Sequence, residues 1–174
     1  MGREVRMVPK GWPHPTDRKG DFIPLMKGPY SEHVAEWNEE FAHWNNGEVL
    51  DYSTWPEQRT FKSKEGSAIE CESFEEWYGK RPLQSEYMPE FLDGTATMLM
   101  MYENTSEGTP ISPPFETPEE LARWLADNNA SAFGGMTATY EQWLATCKGL
   151  YAPSMVLSDG KMMSGVEFSA TPRD

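Results

Sequence analysis

The chain has 174 residues, of which 38% are hydrophobic and 13% aromatic, and its formal net charge at pH 7 is −13. This length and composition fit one folded domain with a moderate core, and the charge excludes a protein that binds nucleic acid mainly through its phosphates. No stretch approaches the roughly 18 apolar residues of a membrane span, and two cysteines are too few for a disulfide scaffold, so we expect a protein of a reducing cytoplasm without a membrane segment.

The first 30 residues form a basic, proline-rich segment. They carry six basic and three acidic side chains, whereas residues 31–126 carry six basic and 20 acidic ones. Its five prolines fix φ and remove amide donors, which predicts an arm that runs extended over the surface, with His14 in a surface turn. The acidic remainder is expected to attract a partner with a basic surface, and acidity that serves solubility alone is the alternative.

A helical pattern follows over residues 31–47. Apolar residues recur at spacings of three and four, a serine precedes them as a possible cap, and a glycine follows as a stop. These residues are, in order, Ser31, Val34, Trp37, Phe41, Trp44 and Gly47.

The polar face of this helix carries four candidate partner-binding residues: Glu32, Glu36, Glu39 and Glu40. Their carboxylates can occupy a groove meant for nucleic acid in place of phosphates. Glu40-x-x-His43 and His33-x-x-Glu36 also resemble the helical motif of di-iron sites, which needs two such motifs and two further helical carboxylates. Because the chain has only three histidines and one lies in the arm, we interpret the pattern as a solvated helix face and predict no metal site.

The next part of the chain has weaker signals. Residues 48–72 mix turn-forming residues with short apolar pieces and predict an irregular segment. Ser73 and Glu76 have capping-box spacing and Gly79 is a stop, which predicts a helix of little more than one turn. The apolar run TATMLMMYE, residues 95–103, predicts a buried strand.

The stretch TSEGTPISPPFETPEELARWL, residues 105–125, leads from prolines into a helix. Thr117, Pro118 and Glu120 supply an N-cap, an N1 proline and a capping-box acid. The same residues argue against a phosphate site, because the proline removes a donor and acids already occupy the positive end of the helix dipole. The alternative function for the segment TSEGTPIS is a rigid polar lip around a neutral or cationic ligand.

Two elements complete the chain. Thr139 and Gln142 have capping-box spacing and Gly149 is a stop, which predicts a further helix. Asp159-Gly160 predicts the turn of a C-terminal β-hairpin that places Leu157 opposite Met162.

Together these elements predict an α+β fold. It has a short antiparallel sheet with the C-terminal β-hairpin, three to four short helices and an extended N-terminal arm. The expected division is an arm over residues 1–30 and a single α+β domain over residues 31–174. We expect strand 95–103 to be buried, Trp124 and Trp143 to share one core, and the hairpin to pair with or lie beside that strand.

Several segments carry a resemblance to a known group of proteins. REVRMVPKGWPHP, YMPEF, YENTSEGTPISPPFETPEELARWLAD, TATYEQWLAT, YAPSMV and MMSGVEF resemble a family of small uncharacterised proteins encoded by tailed bacteriophages and prophages. The likeness covers most of the chain, is weakest over residues 48–72 and is most specific over residues 102–125. It implies presence in the cytoplasm of an infected bacterial cell, and it supplies no catalytic residues.

The sequence favours a function in binding. It contains no nucleophile elbow, Walker loop, dinucleotide fingerprint or zinc framework, so we predict no enzyme, no catalytic residue and no cofactor. The preferred interpretation is a phage accessory protein that binds a basic host or phage protein and inhibits a bacterial defence system, without direct nucleic-acid binding. One alternative is a nucleotide sponge, in which Arg3, Arg6 or Lys10 meets the phosphates and aromatic residues stack on the base. Another is a minor virion or assembly component; the oligomeric state stays open.

Overall fold

A computed structural model describes residues 2–67, 69–104, 108–158 and 160–171. These residues form a mixed α+β structure, which confirms the predicted fold class. The strands are β1 (Arg3–Pro9), β2 (Glu48–Leu50), β3 (Phe61–Ser63), β4 (Ala96–Glu103), β5 (Thr109–Pro110), β6 (Tyr151–Ala152), β7 (Met155–Ser158) and β8 (Lys161–Ser164). The helices are α1 (Tyr30–Asn45), α2 (Phe74–Tyr78), α3 (Pro118–Asp127), α4 (Tyr140–Gly149) and α5 (Gly165–Ser169), with a single 3₁₀ turn at Gln84–Glu86.

The chain divides into two compact units. One contains residues 1–27 and 90–174, and we call it the sheet unit; the other contains residues 28–89, and we call it the helix α1 unit. The boundaries differ from the predicted division into an arm over residues 1–30 and a domain over residues 31–174, because the first 27 residues belong to the same unit as the C-terminal half.

The sheet unit is built on four antiparallel strands in the order β5-β4-β1-β6. β1 pairs with β4 over its whole length, from Arg3 opposite Glu103 to Pro9 opposite Ala96. The predicted surface arm is therefore corrected: its first part is extended, but it is an inner, mostly buried strand. His14, predicted in a surface turn, is also buried.

The core of this unit lies between the sheet and two helices. Met101 of β4, Leu121 and Leu125 of α3, and Trp143 and Cys147 of α4 are fully buried in one cluster. The predicted burial of strand 95–103 is confirmed, and Trp124 packs against the same cluster as Trp143, as predicted. Burial, followed by the charge of Glu119, raises the pKa of the Cys147 thiol to about 12, so this thiol is protonated and unreactive at neutral pH.

Local capping signals fix where the two core helices begin. Thr117 and Glu120 form the predicted capping box of α3, and Thr139 and Gln142 form that of α4. The end of α4 differs from the prediction by one residue: Gly149 is still helical, and Leu150 takes the left-handed conformation with φ of 62°.

The C-terminal hairpin forms with the predicted register, in which Leu157 lies opposite Met162. Asp159 of the predicted turn lies outside the described residues. We expected the hairpin to pair with or lie beside strand 95–103, and the first of these alternatives is wrong: β7 and β8 form a two-stranded sheet of their own, and β4 pairs with β1 and β5. The sequence interpretation also missed α5, which follows the hairpin directly and is capped by the hydroxyl of Ser164.

The helix α1 unit packs aromatic side chains of α1 against α2. Trp37 and Phe41 stack with ring centroids 5.1 Å apart, and Phe74 contacts both rings. Gly47 ends α1 as predicted, with φ of 78°, but the cap residue is Pro29 and not Ser31. The segment 48–72, predicted irregular, contains the short antiparallel pair β2–β3.

The predicted short helix after residue 72 is present as α2. Ser73 accepts a hydrogen bond from the Glu76 amide, and Gly79 ends the helix. None of the helices in the described part of the chain combines the length and apolar character needed to cross a membrane.

Candidate functional site

Three of the four predicted partner-binding residues converge on one arginine. Arg59 Nη1 lies 3.0 Å from Glu36 Oε1, and Nη2 lies 2.8 Å from Glu40 Oε1 and 3.3 Å from Glu39 Oε2. The three glutamates lie on one side of α1, because residues three and four apart are neighbours on a helix surface. Arg59 comes from the connection between β2 and β3. We call these four residues the Arg59 cluster.

The charge balance of the cluster determines the state of Arg59. Burial alone would lower the pKa of the guanidinium, but Glu39, Glu40 and Glu36 outweigh it and raise the pKa. Arg59 is therefore a fixed positive charge, and its side chain is 29% exposed. Three glutamates surround one guanidinium, so acidic side chains outnumber basic ones in the cluster.

Glu40 differs from its neighbours because it is buried. Its residue is only 4% exposed. Burial raises the pKa of the Glu40 carboxyl, and the charge and hydrogen bond of Arg59 oppose that increase. The predicted role of Glu40 as a partner contact is therefore corrected: its carboxylate anchors Arg59 inside the unit.

The carboxylates that remain available are those of Glu32, Glu36 and Glu39, which we call the acidic face. The Glu36 and Glu39 side chains are 44% and 52% exposed, and Glu32 is exposed in the first turn of α1. The ion pairs with Arg59 restrict the positions of the Glu36 and Glu39 side chains, which stay about half exposed.

A tyrosine lies beside this cluster. Burial, followed by the charges of Glu36 and Glu40, raises the pKa of Tyr78 to about 12. Its hydroxyl therefore stays protonated at neutral pH. Tyr52 makes a smaller contribution in the same direction, and it is itself 58% exposed.

The connection that carries Arg59 and Tyr52 is held by its own hydrogen bonds. The Asp51 carboxylate accepts from Lys62 Nζ at 2.9 Å and from Ser53, and these contacts lower the pKa of Asp51. Thr54 and Thr60 close the base of the connection with a hydroxyl pair 2.7 Å apart. Trp55, at its tip, is 50% exposed.

The histidines of the Glu40-x-x-His43 and His33-x-x-Glu36 patterns of α1 contact other partners. His43 Nδ1 lies 2.6 Å from Glu48 Oε2, and its ring stacks on Phe61 at 3.5 Å. His33 packs against the ring of Tyr87 at 4.8 Å. Among the described residues, no group of three or more His, Cys, Asp or Glu side chains is arranged to hold a metal ion.

The basic residues that a nucleotide sponge would need are engaged elsewhere. Arg3 is buried and binds the Ser131 carbonyl oxygen and Glu103. Arg6 is buried and binds Glu4 and the Leu25 carbonyl oxygen. Lys10 forms an exposed ion pair with Glu116. Arg3 and Arg6 are therefore structural parts of the sheet unit, and Lys10 is the exposed residue of the three on which the nucleotide interpretation depended.

Comparison of the chain with known protein families, with curated proteins and with solved structures gives no match in any of the three. The functional argument therefore depends on the residues and on their geometry.

Sequence reasoning found the glutamates of the site but missed Arg59 and Tyr78. The glutamates share one helix, so their spacing predicts a common face. Arg59 lies 19 residues beyond Glu40, in a segment without periodicity. The available signal was that a run of glutamates on a partly buried helix needs a compensating cation, and Arg59 is the first basic residue after α1.

Proposed function

We propose that the protein acts by binding a partner protein with a basic surface, through the acidic face of α1. The observation that carries this proposal is the Arg59 cluster, which fixes Glu36 and Glu39 on one side of a helix and leaves their side chains about half exposed. Side chains held in one geometry lose less conformational entropy when a partner binds.

The charge of the whole unit supports the same function. Residues 28–89 contain 13 acidic and five basic side chains, a net charge of −8. Such a field accelerates association with a basic surface and weakens with added salt.

Exposed aromatic residues supply the apolar part of an interface. Tyr52 and Trp55 belong to residue types that are enriched at the energetic centres of protein interfaces. Their exposed fractions, 58% and 50%, are high for large aromatic side chains. An acidic face with accessible rings in the same unit is suited to a basic groove that also offers apolar contacts.

The phage resemblance extends the proposal to a biological setting. In the cytoplasm of an infected bacterial cell, the partner would be a host protein whose basic groove binds nucleic acid, and a rigid array of carboxylates would occupy that groove in place of phosphates. The protein would then inhibit a bacterial defence system without catalysing a reaction.

The experiment is affinity capture from bacterial lysate, followed by titration of the purified partner at about 50 mM and about 500 mM NaCl. We expect a captured protein whose affinity falls with salt. The triple variant Glu32→Gln, Glu36→Gln, Glu39→Gln should weaken the complex by about tenfold or more, because it removes three charges from the proposed interface.

The matched control is Glu65→Gln, Glu70→Gln, Glu75→Gln, which removes the same charge from exposed positions of the same unit. It should lower the affinity much less than the α1 triple. Equal losses of affinity in the two triple variants would show a general effect of net charge and contradict a specific role of the acidic face. A partner whose affinity is unchanged by either triple variant and by high salt would overturn the proposal.

A further inference from the structure

The sheet unit contains a cleft of about 540 Å³ that is separate from the acidic face. This volume lies within the range of about 300 to 1,000 Å³ that is typical of small-molecule sites. One wall comes from residues 12–22, which follow β1, and the other from residues 110–113, which follow β4. The lining consists mainly of rings: Trp12, Pro13, His14, Phe22, Pro110, Pro113 and Trp124, with Met100, Ile111 and Ser112 between them.

The His14 ring and the Ser112 hydroxyl in the walls are hydrogen-bonded within the chain, whereas the buried Trp12 Nε1 has no hydrogen-bond partner among the described residues. His14 Nε2 donates to the Ile23 carbonyl oxygen at 2.7 Å, so the neutral ring accepts at Nδ1 from the Tyr102 hydroxyl at 3.2 Å. The Ser112 hydroxyl accepts from the Met101 amide and donates to the Pro113 carbonyl oxygen. The walls therefore present ring faces, ring edges and methylene groups to a ligand.

The lining also carries no ionised group. None of the described residues that line the cleft is Asp, Glu, Lys or Arg, and burial lowers the pKa of His14, which keeps its ring neutral at pH 7. A charged ligand group would lose its hydration in this cleft without gaining an ion pair from the described lining residues.

The rings are held firmly enough to form a stable site. His14 packs edge-on against Phe22 at 5.4 Å, and Trp12 packs edge-on against Phe91 at 5.0 Å. Phe22 is nevertheless 49% exposed, so part of its ring is free to contact a ligand. Edge-to-face and offset contacts of this kind favour a flat aromatic occupant.

We propose that this cleft binds a small, uncharged aromatic molecule. Shape and ring contacts provide the recognition, and the lack of charged side chains among the described lining residues selects against ionised ligands. The site lies in the sheet unit and uses no residue of the acidic face, so it stands independently of the proposed binding of a basic protein.

The test uses three probes that share one ring system: neutral indole, anionic indole-3-acetate and cationic tryptamine. Titrations of the full-length protein are followed by isothermal calorimetry and by saturation-transfer NMR. We expect saturable binding of one indole per chain, with both charged probes at least about tenfold weaker. Equal affinity for a charged probe, or no saturable binding of indole, would overturn the proposal.

Two variants locate the site. Phe22→Ala should weaken indole binding by about fivefold to tenfold because it removes one aromatic contact, and Pro113→Trp should block the mouth of the cleft. Met26→Ala is the matched control. Met26 follows Phe22 closely in the chain and is 45% exposed, but it does not line the cleft. Melting temperatures establish that the variants fold, and the acidic-face triple should leave indole binding unchanged.

Other occupants give distinct results. If the cleft is an interface between two copies of the chain, sedimentation of the wild type will show a dimer that Phe22→Ala dissociates. If it receives an aromatic side chain of a protein partner, free indole will compete with that partner. Either result with no specific indole binding in the monomer would contradict the small-molecule site.

Discussion

A single guanidinium organises the acidic side of α1. Arg59 bridges carboxylates of opposite character: Glu40, which is buried, and Glu36 and Glu39, which are about half exposed. The bond to Glu40 is the structural one, because a buried carboxylate requires a cation or hydrogen-bond donors. The bonds to the exposed pair position these side chains at the surface, where an ion pair alone contributes little to stability.

We predict that the effect of removing Arg59 depends on Glu40. Arg59→Met leaves the Glu40 carboxylate buried without its cation and should cost about 2 kcal/mol of unfolding free energy at neutral pH. Glu40→Gln replaces the carboxylate with a neutral amide. Arg59→Met should therefore cost much less unfolding free energy in that background. Urea unfolding of the four proteins of this double-mutant cycle measures the difference.

The matching cycle with Glu39→Gln is the control, because Glu39 contacts the same guanidinium at the surface. A cost of Arg59→Met that is the same with and without the Glu40 carboxylate would contradict the assigned role. The missed contact also illustrates a limit of sequence reasoning, since nothing local relates Arg59 to α1.

His14 is a second residue whose state follows from burial. Burial lowers its pKa, the hydrogen bond to the Ile23 carbonyl oxygen opposes this, and the charge of Arg6 adds to the lowering. As the pH falls, His14 is therefore protonated at a higher pH in the unfolded chain than in the folded protein. The corresponding stability is complete above the ordinary histidine pKa of about 6.5 and is lost as the pH falls below it.

We predict that His14→Gln makes stability less dependent on pH in this window. Free energies of unfolding at about pH 7.5 and about pH 5.5 should fall more steeply for the wild type, with one histidine contributing at most about 1.4 kcal/mol per pH unit. His33→Gln is a control, because His33 lies on the exposed side of α1. Parallel curves for wild type and His14→Gln would show that His14 does not titrate differently on folding.

At the scale of elements, local sequence signals predicted where helices begin, but the sequence did not predict long-range strand pairing. The capping boxes of α3 and α4 were predictable because a helix N-terminus is specified within four residues. The role of β1 was not, because its partner β4 is about 90 residues away and the prolines at its end and beyond it, at 9, 13 and 15, indicate a surface segment. β1 tolerates Pro9 because the proline stands at its end, where the register shifts.

The cleft between residues 12–22 and 110–113 also depends on the long-range pairing of β1. Three residues of the segment TSEGTPIS, which was predicted as a lip, line this cleft: Pro110, Ile111 and Ser112. Residues 105–107 of the same segment lie outside the described residues. The opposite wall was hidden from sequence reasoning, because its placement follows from β1 lying inside the sheet.

The end of α4 gives a prediction at this scale. Leu150 adopts φ of 62° and its side chain is 53% exposed. The left-handed conformation costs a non-glycine residue about 1 kcal/mol and a β-branched residue more. Leu150→Gly should therefore raise the unfolding free energy by about 0.5 kcal/mol, and Leu150→Val should lower it by about 1 kcal/mol.

Chemical denaturation measures both substitutions, and Leu157→Gly serves as the control. Leu157 is 70% exposed in β7, where a glycine has no left-handed conformation to relieve and weakens the strand. If Leu150→Gly destabilises the protein as much as Leu157→Gly does, the conformation at the end of α4 carries no strain.

At the scale of the whole molecule, the net charge is distributed unequally between the two units of the chain. The bulk charge of −13 was readable from composition, but its distribution over folded units was not. Residues 28–89 carry −8, and the first 27 residues, with six basic and three acidic side chains, join residues 90–174 in the less acidic sheet unit. The predicted basic arm thus contributes its charges to a compact unit and balances the acids there.

This distribution predicts how the protein responds to salt. Repulsion within a strongly acidic chain opposes the compact state, and it is screened over about 10 Å at 0.1 M salt. The melting temperature should therefore rise by a few degrees between about 50 mM and about 500 mM NaCl. The variant Glu65→Lys, Glu70→Lys, Glu75→Lys changes the net charge by six at exposed positions, so its rise should be clearly smaller. Calorimetric scans of both proteins measure the effect. A melting temperature that falls with salt would instead show that ion pairs such as those of Arg59 outweigh the repulsion among the other acids, and that the acidity of the helix α1 unit costs the folded protein little.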